Sequence, residues 1–485
     1  MKKNYKIIII FLIGFLSITY FSVNYLIGKN KGPKLNDIKQ LFNQNQKEFI
    51  KKYFFPYKTI SQQRKIISGQ KENISNLKKN IYSQELIMFD REATISVLQK
   101  YAPSIEDELK FKNELKDITV FKKERFKLSN DLIITKYLFL KGFYFGMDSR
   151  FPGSGYIDFH FNNLIVLSAR GILGYSSDLE EKLAFKQIKN NIDDFFDLEQ
   201  IKKDGGFSVR DLAIHENKIY ISYNEQIRKD CWNTGIIYSE INYDYIEFRK
   251  LFSSKECVHS KNNLDSQFKS SQGGGRIVVL DNENILLSVG EYRSRFLAQE
   301  LDSINGKIIK ININNSNYEI VSMGHRNPQG LYYNKKYNFI LETEHGPQGG
   351  DEINLIKLDH LNKNKIPNYG WPIASEGEHY GGGDEYLNAK YPIPESHKKH
   401  GFIEPLKSFT PSIGISEITK INNNYYVASS LKSKSLYFFE LNNENKIINQ
   451  STIQVFERVR DIIFKGKKLY LFLEDTASIG IIELN

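Results

Sequence analysis

Cysteine is nearly absent from this chain: two in 485 residues. No multi-disulfide framework is open to it, and Cys231 and Cys257 either close one bridge across the strand pair they flank or stay as buried thiols. Histidine is also sparse, at nine, and His379, His397 and His400 lack the spacing of a zinc site. Positive charge is not segregated. The net charge is +10, from 67 basic and 57 acidic residues, but lysines are mixed with acids nearly everywhere, which argues against a nucleic-acid surface. Between residues 35 and 127 the only prolines are Pro56 and Pro103.

Acidic residues are missing around Lys2, Lys3 and Lys6, which precede an apolar run from Ile7 to Ile27. That run is about the ~20 residues that cross a bilayer core, and no small-residue cleavage site follows it. Residues 1–31 are therefore expected to be an uncleaved single-pass anchor in the inner membrane, with a cleaved signal as the alternative. The cationic start places the N-terminus in the cytoplasm and the rest in the periplasm. Segments Ser61 to Lys79 and Ser104 to Lys127 suit helices, so residues 32–127 read as a helical spacer or a docking region for a protein partner.

From about residue 128 the pattern becomes apolar strand, polar turn, apolar strand, as in a hairpin. It occurs at Asp158 to Leu167, Asp211 to Ser222, Arg276 to Leu287, Gly330 to Leu341, Glu417 to Ala428 and Asp461 to Phe472. Starts lie 44 to 87 residues apart. Six such units, each extended to about four strands, predict an all-β, six-bladed propeller over residues 128–485, in which radial repetition protects the sheet edges. The widest gap, 344 to 416, is expected to form loops over one mouth.

A hairpin returns its two ends to the same side of a sheet. Residues before the units are Arg210, Gln272, Arg326 with Asn327, and Arg458 with Arg460; residues after them are Glu291, Gly346 with Pro347, and Lys432. One rule thus gathers five cations, two amides, a carboxylate and a Gly-Pro carbonyl pair at one mouth. Arg458-Val459-Arg460 alternates as a strand does, so both guanidiniums face one way. Such a set suits a rigid polyanion, with arginine making two-pronged carboxylate contacts.

The motifs Gly324-His325-Arg326-Asn327-Pro328-Gln329-Gly330, Glu344-His345-Gly346-Pro347 and Asp351-Glu352-Ile353-Asn354 are long and specific. Together with Gly274-Gly275-Arg276, Gly306-Lys307-Ile308, Asn368-Tyr369-Gly370-Trp371-Pro372, Leu431-Lys432 and Arg458-Val459-Arg460-Asp461, they make residues from about 130 to 485 resemble the glucose/sorbosone dehydrogenase family. These are soluble aldose dehydrogenases that use pyrroloquinoline quinone (PQQ). The resemblance implies a six-bladed propeller with the quinone across its mouth. It implies that Asn327, Lys432, Arg458 and Arg460 hold the quinone and that the carbonyls of Gly346 and Pro347 bind Ca²⁺, with Asp351 and Glu352 near the metal. By the same resemblance Arg326 stabilises the anion that develops on the quinone. His325 and His345 belong to the motif as structural hydrogen-bonders, and His160 and His215 as packing or turn residues. Residues before 130 have no counterpart in the family.

One departure matters for catalysis. The family's base is a histidine four residues before the arginine of Gly-Gly-Arg, and here that position is Gln272. An amide cannot take up a proton at neutral pH, and general-base catalysis is typically worth ~10²–10⁴-fold. The family's aspartate after this unit is Glu291, a candidate substitute base, as are His259 and Asp265 on the preceding loop. The expected function is a membrane-anchored, PQQ- and Ca²⁺-dependent oxidoreductase acting on a small sugar-type substrate. A catalytically silent propeller that binds a ligand or a protein is the alternative. Calcium-dependent lactone hydrolysis is a third reading, which leaves Lys432, Arg458 and Arg460 unexplained.

Overall fold

The computed structural model describes residues 65–74, 78, 105–128, 132–139, 141–143, 153–195, 206–360, 366–380 and 385–484. The expected anchor lies outside them. Among the described residues no helix is long and apolar enough to cross a membrane. The chain divides into two compact units, Met1–Leu86 and Ile87–Asn485. In the first, residues 65–74 are helical and exposed, as the composition of Ser61 to Lys79 suggests.

The second unit is built almost wholly of antiparallel sheet. Each hairpin seen in the sequence forms the inner half of a sheet. Val209–His215, Lys218–Arg228, Cys231–Glu240 and Arg249–Phe252 make one, with the short Val258–His259 also paired to Cys231–Glu240. Gly274–Val279, Asn284–Val289, Lys307–Asn312 and Tyr318–Met323 make the next. Pro328–Asn334, Phe339–Glu344, Asp351–Lys357 and Lys407–Phe409 follow, then Ile415–Asn422, Tyr425–Ser430, Ser435–Leu441 and Ile447–Gln454. The first and last hairpins belong to one nine-stranded sheet, running from Val459–Lys465 at one end to Gly155–His160 at the other.

The first strands of the six hairpins touch in chain order, and Val459–Lys465 packs back on Gly155–His160, so they close a ring. Of six apolar clusters, five lie between successive sheets and one between the first and last hairpin units of the nine-stranded sheet. Ile165 and Leu167 meet Ile219 and Ile221, for example, and Leu286 and Ile308 meet Leu331 and Ile340. Period-2 alternation supplies an apolar face on each side of every sheet, and stacking buries both. The fold is an all-β, propeller-like ring.

The ring is closed by a segment expected to be helical. Ile105–Asn113 is a helix, but Ile118–Lys127 is a strand. It pairs with Ile133–Phe139, itself paired with Ser478–Glu483 of the last hairpin unit, and through Ile118 with Phe185 at the outer edge of the first. Its opening Ile118-Thr119-Val120-Phe121 is β-branched and aromatic, which the charged remainder masks in a composition count. Ile118 and Val120 are buried. The sheet region therefore begins before residue 128, and the helical reading of 32–127 fails over 118–127. Cys231 and Cys257 are joined as a disulfide, with Cα atoms 5.3 Å apart.

Candidate active site

Chain segments leaving the inner strands line a cavity of about 820 Å³. Arg210, Gln272, Arg326, Asn327, Gly346, Asp351, Lys432, Arg458 and Arg460 all border it. Six basic side chains (Arg210, Lys269, Arg326, Lys432, Arg458 and Arg460) face three carboxylates (Asp351, Glu378 and Glu474), so the cavity favours an anion. Glu291 and Pro347 border a smaller space beside it, which shares Arg326 and Tyr380 with the main cavity.

One wall is a pair of guanidiniums fixed by one acid. Arg458 Nε donates to Glu474 Oε2 at 2.9 Å and Arg460 Nε to Glu474 Oε1 at 2.6 Å. Burial pushes the Glu474 carboxyl up, but Arg460 and Arg458 outweigh it and hold it at about 2. Arg460 Nη1 also donates to Gln329 Oε1 at 3.1 Å. Lys432 is exposed and, among the described residues, its ammonium makes no hydrogen bond or ion pair, so it is available to a ligand. Arg210 is turned inward, its Nε donating to Asn224 Oδ1 at 2.9 Å and its Nη2 to Gly206 O at 3.0 Å.

Gln272 ends the short turn Ser270–Gln272, just before the inner strand Gly274–Val279. With its amide oriented to satisfy both ends, Nε2 donates to Glu291 Oε1 at 2.9 Å and Oε1 accepts from Arg326 Nη2 at 3.3 Å. The amide thus joins a carboxylate to a guanidinium. Burial pushes the Glu291 carboxyl up to about 7, against the pull of Arg326. Arg326 Nη1 donates to His345 O at 3.0 Å and Gly346 O at 2.6 Å, and its guanidinium lies 5.3 Å from the Trp371 ring.

The Gly346-Pro347 turn sits between these donors and Asp351. Pro347 O accepts from Tyr380 Oη at 3.2 Å. Asp351 Oδ1 accepts from Gly346 N at 3.1 Å, and Oδ2 from Gly414 N at 2.6 Å and Ile415 N at 3.0 Å, so this carboxylate props the turn and its oxygens are already engaged. Glu352 does not share the site. Successive residues of a strand face opposite sides, and Glu352 meets Asn354 and, at 3.5 Å, His397 Nε2. There it joins Glu342 and Glu344 around the Asn354 amide.

His325 is buried, hydrogen-bonded to Ser322 and Glu344, and stacked on Tyr369. His345 borders the cavity as a half-buried imidazole whose pKa desolvation lowers to about 4. His160 packs on Tyr243 and His215 meets Asn282. His259 receives the backbone N–H groups of Lys261 and Asn262, outside the cavity lining. Asp265 is buried against Arg295.

The sequence reading missed Glu474 and Tyr380. Glu474 follows the second strand of the sixth hairpin, so the same rule, applied there, finds it. Tyr380 arrives on a loop that no period marks.

The family model for glucose/sorbosone dehydrogenase matches residues 186–482, more than half of the chain. The chain belongs to this family. Among relatives, protein slr1608 of Synechocystis is 31% identical over 219 residues, which are 39% of this chain and 50% of that protein. The match thus spans half the length of slr1608. Aldose sugar dehydrogenase YliI of Escherichia coli is 27% identical over 290 residues, 54% of this chain and 71% of that one. The crystal structure of the soluble aldose sugar dehydrogenase from Escherichia coli in its apo form superposes with a TM-score of 0.53 at 20% identity, covering 70% of this chain and 97% of that one. A glucose dehydrogenase structure gives a TM-score of 0.55 at 21% identity, covering 68% and 96%. These two likenesses bear on the fold.

Proposed function

We propose that this chain oxidises an aldose or related sugar-type substrate with PQQ and Ca²⁺, as a six-bladed propeller held at the inner membrane and facing the periplasm. The observation that carries the reading is the cationic cavity wall of Lys432, Arg458, Arg460 and Asn327, in which Glu474 fixes the two guanidiniums. A planar tricarboxylate fits such a wall, because each guanidinium offers paired donors to a carboxylate. The six apolar clusters and the closed ring of inner strands support six blades. The run from Ile7 to Ile27 supports the anchor, and the disulfide suits an oxidising compartment.

Lys432, Arg458, Arg460 and Asn327 would hold the quinone, and the carbonyl oxygens of Gly346 and Pro347, hard donors on a turn braced by Asp351, would hold calcium. Gly346 O now receives Arg326 Nη1, so this donor must yield to a metal. When bound, the quinone supplies the two-electron oxidant and calcium the Lewis acid that polarises it. Arg326 brings a positive charge to the cavity, where it would stabilise developing negative charge once its Nη1 has left Gly346 O. Gln272 orients Arg326 and Glu291 but moves no proton.

The test is to titrate the full chain in detergent with PQQ, with and without Ca²⁺, following the quinone's absorbance, then to add D-glucose, D-galactose and D-xylose in turn. Calcium-dependent binding followed by bleaching supports the proposal. Binding without bleaching favours the second reading, a silent holder, for which Gln272 at the position of the family's base is the supporting observation. Absence of binding sinks the quinone reading and leaves a silent propeller whose ligand or protein partner is another.

A further inference from the structure

Gln272 leaves the site without a proton acceptor where the family has one, yet the carboxylate behind it has an oxygen to spare. Glu291 is 1% exposed. Its backbone N–H donates to Arg326 O at 3.0 Å, its Oε1 takes the Gln272 amide at 2.9 Å, and among the described residues its Oε2 has no hydrogen-bond partner. A buried carboxylate oxygen left unpaired is uncommon and calls for an explanation. Glu291 borders the small space of about 20 Å³ beside the main cavity. That volume is enough for one water, which needs ~10–15 Å³. Arg326 and Tyr380 line both spaces, so the two adjoin at these side chains.

We propose, resting on the function above, that Glu291 is the proton acceptor of this chain and is reached through one water in that small space. The substrate's hydroxyl O–H breaks, its proton passes to the water, and a water proton passes to Glu291. A bound quinone would supply the two-electron oxidant, accepting the C1 hydrogen with its electron pair so that the C1–O bond becomes a carbonyl. A relay through a single water is within the reach of general-base catalysis. The other candidates are occupied or exposed. Asp265 is paired with Arg295, Asp351 is saturated by three backbone N–H groups, and Glu378 lies in the exposed rim. His345 has its Nδ1 facing the Asn327 amide at 3.5 Å. Burial, opposed by Arg326 and Arg293 and reinforced by Asp265, brings Glu291 to about 7, a base strength matched to neutral pH. Arg295 and His379 also border the space and belong to its electrostatics.

The test uses the full chain loaded with PQQ and Ca²⁺ and reads the rate of quinone bleaching by D-glucose, D-galactose or D-xylose between about pH 5 and 9, the range over which a base of pKa near 7 titrates. The wild-type rate is expected to rise through about pH 7. Glu291→Gln is expected to lose ~10²–10⁴-fold in bleaching rate and the pH-dependent rise, with its PQQ titration unchanged. Glu291→Ala is expected to recover with added formate. Wild-type bleaching at the same rate in Glu291→Gln, or a flat wild-type profile, overturns the assignment of Glu291 alone; the second readout needs no variant to fold. A wild-type protein that binds PQQ and bleaches with none of the three sugars overturns the function itself, and this inference with it.

Discussion

Arg460 Nε lies 2.6 Å from Glu474 Oε1, and the other oxygen of the same carboxylate holds Arg458. One buried acid therefore sets the spacing of the two cations that form the cavity wall. Replacing it by an amide, Glu474→Gln, leaves two guanidiniums short of an anion and is expected to cost about 3–5 kcal/mol in urea unfolding at neutral pH. The sign in pH follows from the depressed pKa. The carboxylate's contribution is full above its ordinary value of 4.5 and is lost as pH falls toward about 2. The gap between wild type and variant should therefore narrow over that window and not above it.

Lys432 offers the opposite case. It is exposed and has no partner to abandon among the described residues, so Lys432→Ala should leave unfolding within about 0.5 kcal/mol of wild type. If it holds a carboxylate of the quinone, the variant should weaken PQQ affinity by roughly 10–100-fold, the worth of one charged hydrogen bond. An unchanged absorbance titration would remove Lys432 from the binding set.

Gln272→His restores an imidazole between Glu291 and Arg326. Bleaching of bound quinone by aldose is expected to accelerate, by up to ~10²–10⁴-fold, with the pH midpoint moving away from that of Glu291. No acceleration at any pH would mean that residue 272 does not face the reacting hydroxyl.

At the ring axis Arg276 meets Asp211 at 2.8 Å and Asp461 and Glu417 at 2.9 Å. Burial raises all three carboxyls, with Arg276 opposing. Asp158 and Glu291 are also raised by burial, each to about 7. The folded state thus binds protons more tightly than the unfolded state from about pH 4 upward, and stability falls as pH rises through the raised values. The urea midpoint should be higher at about pH 5.5 than at about pH 8. Asp211→Asn should flatten that slope; an unaltered slope would place its origin elsewhere.

The Cys231–Cys257 bridge spans a sequence separation of 26. Reduction should cost about 2–4 kcal/mol, by the loop-closure argument. A Cys231→Ser, Cys257→Ser double variant should reproduce the loss and be insensitive to reductant, whereas equal stability with and without reductant in the wild type would show that the bridge contributes nothing.

The hairpins were legible because a strand buried on both faces reads as a short apolar run and a tight turn must be polar; both signals are local. The rule that hairpin ends share one side of a sheet then brought Arg210, Gln272, Arg326, Asn327, Gly346, Lys432, Arg458 and Arg460 to one cavity before any coordinates. Stopping that rule at the fifth hairpin hid Glu474, which the sixth supplies. Ile118–Lys127 was misread because its charged second half resembles a solvated helix, and only its two sheet neighbours reveal it. Glu352 was grouped with Asp351 because the two are adjacent, although adjacency in a strand means opposite faces.

The sequence by itself determined the six hairpins and which residues stand at the ends of each, since both depend on residues close together in the chain. Tertiary structure decided what those residues do to one another. Whether Glu291 is exposed or buried, whether Gln272 touches it, and which acid braces Arg458 and Arg460 depend on how separate sheets pack. Burial and the sign of the nearest charge set proton affinity, and neither is a property of local sequence.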